Sequence, residues 1–306
     1  MPPSTPVSVA EPAAAVTVPG VEVPATSRPE RHLWRQLWRR KTAVLGLFLA
    51  AVVLGGAVLA PWLAPEDALA MSPRRFAAPS ASAWLGTDQF GRDLLSRLLY
   101  GARVSMVVAF AAVGVAMLIG GTIGLCAGYF GGRVDLVLMR GVDVLMAFPT
   151  LLLALAVVAT FGGSTRNLVL AVSLAYIPIF SRVVRGSALS VKQNDFVEAS
   201  RALGARDARI MFRAVLPNVL APIIVQATFN LSTAIMIEAA LSFLGLGVQP
   251  PAPSWGGMLS EARSFMELDP WLALAPGGAI TLAVLGFNLF GDGLRDVLDP
   301  RLGGQG

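Results

Sequence analysis

The sequence predicts an all-α membrane protein that crosses the bilayer six times and keeps both termini in the cytoplasm. Three observations indicate this fold class. The 306-residue chain is 55% hydrophobic and 14% charged, with a mean hydropathy of +0.66, whereas a soluble domain is about 25% charged. Long uncharged runs recur along the chain. Basic residues gather in alternate connecting segments, which is the pattern that the positive-inside rule describes.

Six apolar runs reach or approach the length that crosses a hydrocarbon core of about 30 Å as a helix. They comprise residues 43–63, 104–127, 144–161, 168–181, 219–237 and 271–291. The fourth run is the weakest, because it is short and contains Pro178. Arg182 and Arg185 at its end must extend their charged groups towards water. Pro149, Pro178 and Pro222 lie within runs and are interpreted as helix kinks.

The basic residues indicate the orientation of the chain. With the amino terminus inside, 17 of the 24 lysines and arginines fall on the cytoplasmic side and 7 on the outer side. This asymmetry accounts for most of the formal net charge of +5, because cytoplasmic loops of membrane proteins carry excess Lys and Arg. We therefore expect the lipid bilayer, and no nucleic acid, as the partner of these charges.

Five segments follow one another along the chain. They are a disordered cytoplasmic tail (1–30), an amphipathic entry with the first transmembrane helix (31–63), an outer loop with an interfacial helix (64–103), a core that contains a cytoplasmic loop at 190–217 (104–291), and a cytoplasmic tail (292–306). The interfacial helix is predicted because four leucines between residues 94 and 99 lie opposite Arg92, Ser96 and Arg103.

The cytoplasmic loop begins with a predicted short helix. Asp195 is suited to cap its start, and Glu198 stands three residues on, which completes a capping box. Phe196, Ala199 and Leu203 then share one face. A glycine follows at 204, where the left-handed backbone conformation that ends a helix carries no steric cost.

A second helix is expected from near Asp207 to about Leu216, where Pro217 marks the turn into the fifth span. The residues alone leave two interpretations of the loop open. It is either a solvated connector that touches anionic lipid, or a surface on which a partner protein docks.

The loop resembles the EAA loop of ABC-importer permeases, in which Glu-Ala-Ala is followed at fixed spacing by Gly and then by Ile-x-Leu-Pro. The matching residues are Glu198, Ala199, Ser200, Gly204, Leu216 and Pro217. Ser200 stands in place of the second alanine and Ala214 in place of the isoleucine, and both are small or apolar. In that family the loop docks into a groove of the ATPase subunit. The resemblance therefore implies that the six matching residues form an ATPase-docking site.

Three further stretches resemble the C-type permease subunits of the dipeptide, oligopeptide and nickel importer group. They are LGTDQFGRDLLSRLLYGARVS at 85–105, EAALSFLGLGVQPPAPSWGGML at 238–259 and GDGLRDVLDPRL at 291–302. The resemblance spans about residues 84–302 and leaves the first 27 residues outside. It implies the type I ABC importer permease fold, with this chain forming half of a translocation pathway.

The same resemblance implies a set of partners: a second permease subunit, two ATP-binding subunits inside, and an extracytoplasmic substrate-binding protein. The chain contains no Gly-x-x-x-x-Gly-Lys-Ser/Thr phosphate loop, so ATP and magnesium are expected on the partner ATPases. Its single histidine, His32, excludes a credible Ser/His/Asp triad, and no His/Cys cluster has metal-ligand spacing. We expect a transporter channel subunit without a cofactor, not an enzyme.

Within this family, di- or oligopeptides are the favoured cargo, and nickel or another small solute is the alternative. A non-transporting membrane scaffold and an ion-coupled carrier are alternatives from other classes. A carrier should place several ionisable residues at mid-span, and the predicted spans are nearly free of them. A scaffold does not need the helix–glycine–helix loop.

Three residues in or beside the predicted spans are singled out. Asp143 is interpreted as an ion-pair partner of Arg140 near the inner surface. Glu238 either accepts amide hydrogen bonds from the loop that follows it or helps to shape the outer mouth of the pathway. Trp255 is expected to anchor the outer loop against the membrane surface, and with Glu238 it is the candidate for that outer mouth.

Overall fold

The computed structural model describes residue 38 and residues 40–298. The predicted tail at 1–30, most of the amphipathic entry and residues 299–306 lie outside the described residues. In chain order the helices are α1 (Lys41–Val58), α2 (Ala60–Leu63), α3 (Leu94–Phe130), α4 (Gly132–Met146), α5 (Thr150–Phe161), α6 (Thr165–Lys192), α7 (Asp195–Ala202), α8 (Asp207–Ile210), α9 (Leu216–Phe243), α10 (Trp255–Ala262) and α11 (Trp271–Leu298). A π-helical segment (Met211–Val215) joins α8 to α9, and a 3₁₀ turn (Arg263–Phe265) follows α10.

Five helical runs in the described part of the chain are long and apolar enough to cross a membrane. They are α1, α3, α6, the run from Asp207 to Phe243, and α11. The bent pair α4–α5 provides a sixth crossing when it is counted as one span. The predicted six-span helical fold is therefore confirmed.

The third span is broken where the sequence predicts a kink. The axes of α4 and α5 differ by 82°, and Pro149 occupies the cap position before α5 with an extended backbone. A proline has no N–H for an i→i−4 bond and disfavours helical geometry in the residue before it. The apolar α5 has only 12 residues, or about 18 Å of helix. The predicted start of this span at residue 144 is wrong, because helix α4 already begins at Gly132.

The fourth span is longer than the sequence suggests. Helix α6 runs for 28 residues and keeps Pro178 inside it without a break. Its inner end carries Arg182 and Arg185, which reach back to α4. Arg182 Nη2 lies 2.8 Å from Asp143 Oδ1, and Arg185 Nε lies 2.5 Å from Asp135 Oδ1. The predicted pairing of Asp143 with Arg140 is therefore wrong, because helix α4 places Asp143 beside α6.

The separate interfacial helix predicted before residue 103 is replaced by one continuous helix. Helix α3 begins at Leu94 and extends without interruption to Phe130. Asp93 caps its start by accepting a hydrogen bond from the Ser96 backbone N–H at 2.7 Å. The four leucines that suggested a surface helix thus belong to the outer turns of a transmembrane helix, and α3 has no boundary at 103/104.

Small residues bring α3 and α6 close together at the centre of the fold. A Cβ atom on Gly120 would lie 2.9 Å from the Phe180 Cβ atom, and one on Gly128 would lie 2.8 Å from the Ala188 Cβ atom. Such separations leave no room for a side chain, and backbone approach of this kind is a usual source of helix association in membranes. Helix α6 is thereby fixed as the central support from which the cytoplasmic loop emerges.

Candidate functional site

The cytoplasmic segment that follows α6 forms a compact turn between two helices, here called the elbow (residues 194–210). It comprises α7, a glycine turn and α8. The helix–glycine–helix order predicted from the sequence is confirmed. The details at both ends differ from the prediction.

The start of the elbow is capped by backbone and not by the predicted capping box. Asn194 occupies the N-cap position and makes no side-chain cap bond. Its carbonyl oxygen accepts the Val197 N–H at 2.9 Å. Asp195 and Glu198 instead lie within the first turn of α7, where negative charge interacts favourably with the positive end of the helix dipole. The predicted capping role of Asp195 is wrong by one position.

The end of α7 is a Schellman turn around Gly204. The Gly204 N–H donates to the Arg201 carbonyl at 2.9 Å, and the Ala205 N–H donates to the Ser200 carbonyl at 3.1 Å, which is the paired pattern of this motif. Gly204 has φ +76°, a region that costs residues with a Cβ atom about 1–2 kcal/mol. The left-handed glycine predicted at this position is confirmed.

One side of the elbow is anchored and the other is exposed. Val197, Ile210 and Met211 are buried in the hydrophobic core. The predicted apolar face points the other way: Phe196 is exposed, and Leu203 is 88% exposed. An exposed leucine on a fixed turn is what a docking surface requires.

The site residues from the sequence fall on this exposed side or at its end. Glu198, Ala199, Gly204 and Pro217 are exposed, whereas Ser200 and Leu216 are half-buried. Val197, the residue that holds α7 to the bundle, is not apparent from the sequence. The sequence did hold a signal. Successive residues of a helix are about 100° apart, so Val197 faces away from the side that Phe196, Ala199 and Leu203 share.

Pro217 does not turn the chain, contrary to prediction. From Asp207 to Phe243 the backbone forms one uninterrupted helical run. Just before the proline the run widens to a π-helix, in which the Leu216 N–H donates to the Met211 carbonyl five residues earlier. Proline in the second position of α9 has no N–H to pair, and the wider turn lets the helix pass it. The elbow is therefore mechanically continuous with the fifth span.

Two contacts fasten the elbow, and the end of α6 just before it, to the inner end of α3. Tyr129 Oη donates to Asp207 Oδ1 at 2.7 Å. The Lys192 ammonium donates to the Tyr129 carbonyl oxygen and lies 5.7 Å from the centre of the Tyr129 ring, within the range of a cation–π interaction. These contacts join residues 63 and 78 positions apart, and they are not apparent from the sequence.

The two candidates for the outer mouth are buried within the subunit. Glu238 has no exposed surface and accepts hydrogen bonds from the hydroxyls of Ser105 and Ser242, both at 2.8 Å. The amide donors expected from the following loop are thus replaced by hydroxyls. Trp255 is 1% exposed and donates from Nε1 to the Leu98 carbonyl at 3.0 Å. It therefore anchors α10 to α3, and the predicted contact with the membrane surface is wrong. A role of either residue at the pathway mouth stays a prediction, and burial requires it to act through packing.

A buried ionic cluster at the outer end is the largest feature missed by the sequence. Asp88, Arg92 and Arg97 are each less than 5% exposed, and Glu261 is partly exposed beside them. Arg92 Nε lies 2.6 Å from Asp88 Oδ2, and Glu261 Oε2 lies 2.9 Å from Arg92 Nη2 and 3.0 Å from Arg97 Nη2. Two of the outer arginines that depart from the positive-inside rule are thus neutralised inside the fold.

Comparisons with known proteins agree with this architecture. Residues 120–304 match the family described as "binding-protein-dependent transport system inner membrane component". Residues 30–79 match the "N-terminal TM domain of oligopeptide transport permease C". The two matches together extend over both the first span and the transmembrane core.

Two relatives are similar over nearly the whole chain. A dipeptide transport system permease protein of Alkalihalophilus pseudofirmus is 46% identical over 90% of this chain and 90% of its own length. A glutathione transport system permease protein of Pectobacterium atrosepticum is 45% identical over 94% of this chain and 96% of its own length. Both relatives are permease subunits and not enzymes, in agreement with the function class expected from the sequence.

A solved structure supports the fold. An inward-facing form of the MetNI methionine ABC transporter has a chain that matches with a TM-score of 0.54 at 18% identity, over 66% of this chain and 96% of that one. At this identity the match concerns the fold alone, which is that of a type I importer permease. The chain is a multi-pass inner-membrane protein, and it belongs to the family of binding-protein-dependent transport system inner membrane components.

Proposed function

We propose that the chain imports di- or oligopeptides as one half of a translocation pathway, and that the elbow couples it to an ATPase. The observation that carries the coupling role is the construction of the elbow. Its backbone is fixed by the Schellman turn and by Val197, while Leu203 and Phe196 are left exposed. A rigid turn that presents apolar side chains to water is costly unless a partner covers them.

The docked surface in this proposal consists of the residues matched to the EAA loop. Glu198, Ala199 and Gly204 lie on the exposed side of the elbow, and Glu198 can supply a charge-assisted contact to a basic group of the ATPase. Ser200 is tied down by its own hydrogen bond to the Phe196 carbonyl at 2.7 Å, which keeps α7 regular beneath this surface.

Movement of the docked ATPase would reach the membrane through α9. The helical run from Asp207 to Phe243 is unbroken, so a displacement of α8 would move the inner half of the fifth span. Tyr129 holds the start of the same run to α3 through Asp207. The elbow can thereby pass a movement to two transmembrane helices at once.

The cargo is proposed from the relatives, whose names specify dipeptide, di/tripeptide and glutathione transport. The partners proposed are a second permease subunit, two ATP-binding subunits and an extracytoplasmic binding protein. ATP and magnesium are assigned to the ATP-binding subunits, because this chain has no phosphate loop. Import of nickel or another small solute by the same kind of complex is the second candidate.

The test is uptake by vesicles that contain the full complex, with the binding protein outside. Labelled dipeptide should accumulate only when ATP is present on the ATPase side and the binding protein is present. Nickel ions, offered to the same vesicles, should not accumulate. Uptake that follows a proton gradient without ATP, or accumulation of nickel and not peptide, would contradict the proposed function.

A further inference from the structure

Four uncharged polar side chains lie in the middle of the membrane-spanning bundle, on α6 and α9. At 1.5 Å per residue, Tyr176 lies about 17 Å from the outer end of α6, and Thr233 lies about 15 Å from the outer end of α9. The two residues are thus at a similar depth. Asn230 follows about one turn, and Gln226 about two turns, towards the cytoplasm.

Two of the four side chains are buried with a donor that has no partner. Tyr176 is 2% and Asn230 is 3% exposed. Among the described side chains, only four buried polar atoms lack a hydrogen-bond partner, and Tyr176 Oη and Asn230 Nδ2 are two of them. Buried donors are nearly always paired in native proteins, and an unpaired one is costly in an apolar surrounding. Thr233 on α9 is the side chain that can complete the hydrogen bond of Tyr176 Oη.

The other two side chains are accessible and stand next to the buried ones. Thr233 is exposed and Gln226 is half-buried. Gln226 Nε2 donates to Asn230 Oδ1 at 2.9 Å, which leaves the Gln226 carbonyl oxygen outside that bond. The Thr233 hydroxyl reaches the Phe229 and Asn230 carbonyls only at 3.2 Å, beyond the usual length of an O–H···O bond. Both accessible groups can therefore take a new partner at little cost.

An open groove extends from Gln226, the innermost of the four residues, to the cytoplasmic end of the bundle. It has a volume of about 480 Å³ and is bordered by Val183 of α6, Gln226 and Phe229 of α9, and Arg295 and Leu298 of α11. Polar groups on a surface that faces lipid lack partners, and polar residues inside membrane proteins mark solute pathways more often than lipid contacts. The groove and the residues above it are suited to a pathway wall.

We propose that Thr233 and Gln226 contact the backbone of the transported peptide within the membrane, supported by the buried Tyr176 and Asn230; we call these four residues the amide strip. The inference rests on the proposed function and adds the residues that would contact its cargo. Amide and hydroxyl groups offer both donors and acceptors, which suit the N–H and C=O groups of a peptide. Nickel prefers nitrogen ligands such as imidazole, and the strip contains none.

The buried members of the strip support the accessible ones. When Thr233 donates to a peptide carbonyl, its oxygen can accept from the free Tyr176 hydroxyl. When the Gln226 oxygen accepts a peptide N–H, its amide nitrogen remains held by Asn230. Each contact with the cargo is a single neutral hydrogen bond, which is weak enough for release, as conduction through a pathway requires.

The test compares two substrates and two variants in vesicles that hold the full complex and the binding protein. The substrates are a dipeptide and its depsipeptide analogue, in which an ester replaces the amide. The variants Tyr176→Phe and Thr233→Val each remove one hydroxyl and nearly preserve shape. Relative to the wild type, each variant should lower dipeptide uptake about 3- to 10-fold, the effect of one hydrogen bond. Depsipeptide uptake should fall less, because an ester carbonyl accepts a weaker hydrogen bond than an amide carbonyl, so the ratio of the two rates decreases.

The control is Ser181→Ala, which removes a buried α6 hydroxyl that already donates to the Ile177 carbonyl. It should leave the ratio of the two uptake rates unchanged. Each uptake rate is divided by the amount of assembled complex. Because Thr233 is exposed, the Thr233→Val variant is expected to assemble normally. An unchanged ratio in both variants, with wild-type peptide uptake intact, would overturn the amide strip alone. A wild-type complex that imports no peptide would overturn the proposed function and the strip with it.

Discussion

At the outer end of the subunit, the segment before α3 is fixed by side chains, whereas the elbow at the inner end is shaped by backbone. Asp88, Arg92 and Arg97 are buried and pair with one another and with Glu261. At the elbow the shape depends on a left-handed glycine and two backbone hydrogen bonds, and the apolar side chains of α7 are largely exposed.

This difference indicates which changes each end tolerates. A buried ionic cluster depends on every member, because the loss of one carboxylate leaves two buried arginines to share a single carboxylate. A backbone turn is indifferent to most side chains around it and sensitive only to the residue that adopts the left-handed conformation. The outer end should therefore fail by unfolding, and the inner end by losing its partner while remaining folded.

The largest effect should come from Asp88→Asn at the outer end. Asp88 accepts from two backbone N–H groups and from Arg92 Nε, and breaking a buried pair of this kind costs about 3–5 kcal/mol. The purified complex should unfold at a clearly lower temperature, and less of the chain should reach the membrane. Glu267→Gln, an exposed outer carboxylate, is the control and should change neither. Wild-type thermal stability of Asp88→Asn would show that the cluster does not hold the outer end.

The second effect should come from Gly204→Val at the elbow. A β-branched residue at φ +76° costs about 1–2 kcal/mol, which is small for a bundle of this size but redirects α7. We expect normal amounts in the membrane, weakened co-purification of the ATPase subunits and loss of ATP-dependent uptake. Gly204→Asn is the matched control, because asparagine tolerates the left-handed region, and it should retain most of both activities. If Gly204→Val retains the ATPases and uptake at wild-type levels, the elbow is a connector only.

The smallest effect on stability should come from Glu198→Ala. Glu198 is exposed in the first turn of α7 and makes no capping box, so only the favourable charge at the helix start is lost, about 0.3–1 kcal/mol. The unfolding temperature should hardly change, while retention of the ATPases weakens. Glu198→Gln separates the charge from the side-chain shape. Equal retention by the wild type and both variants would remove Glu198 from the docking surface.

Features that depend on nearby residues were predictable from the sequence. Glycine at 204 is the residue that a left-handed turn favours, and the chemistry of that turn is local. The six apolar runs were predictable because the thickness of the bilayer imposes a length on each of them. Pro149 shows the limit of such reasoning. The same residue type is kept inside α6 at Pro178 but breaks the third span, and the difference depends on the helices packed around each site.

Features that depend on distant partners were not predictable. Arg97 pairs with Glu261, 164 positions away, and an outer arginine in sequence gives no sign that it will be buried. The pairing of Asp143 with Arg182 likewise required the fold, since Arg140 is nearer in sequence. For α7, the sequence identified an apolar face but not which side meets the bundle, because Val197 alone makes that contact.

The π-helical segment before Pro217 determines the direction in which the elbow points. A π turn contains about one residue more than an α turn, and each residue of an α-helix advances the chain by about 100° around the axis and 1.5 Å along it. Deletion of one residue between Met211 and Val215 would restore an α-helix. The four remaining residues would complete one turn and leave the direction of α7 nearly unchanged, whereas α-helical geometry over all five residues would swing α7 about 100° around the axis of α9. The direction in which the docking surface faces thus depends on one extra residue in a single helical turn, just before Pro217.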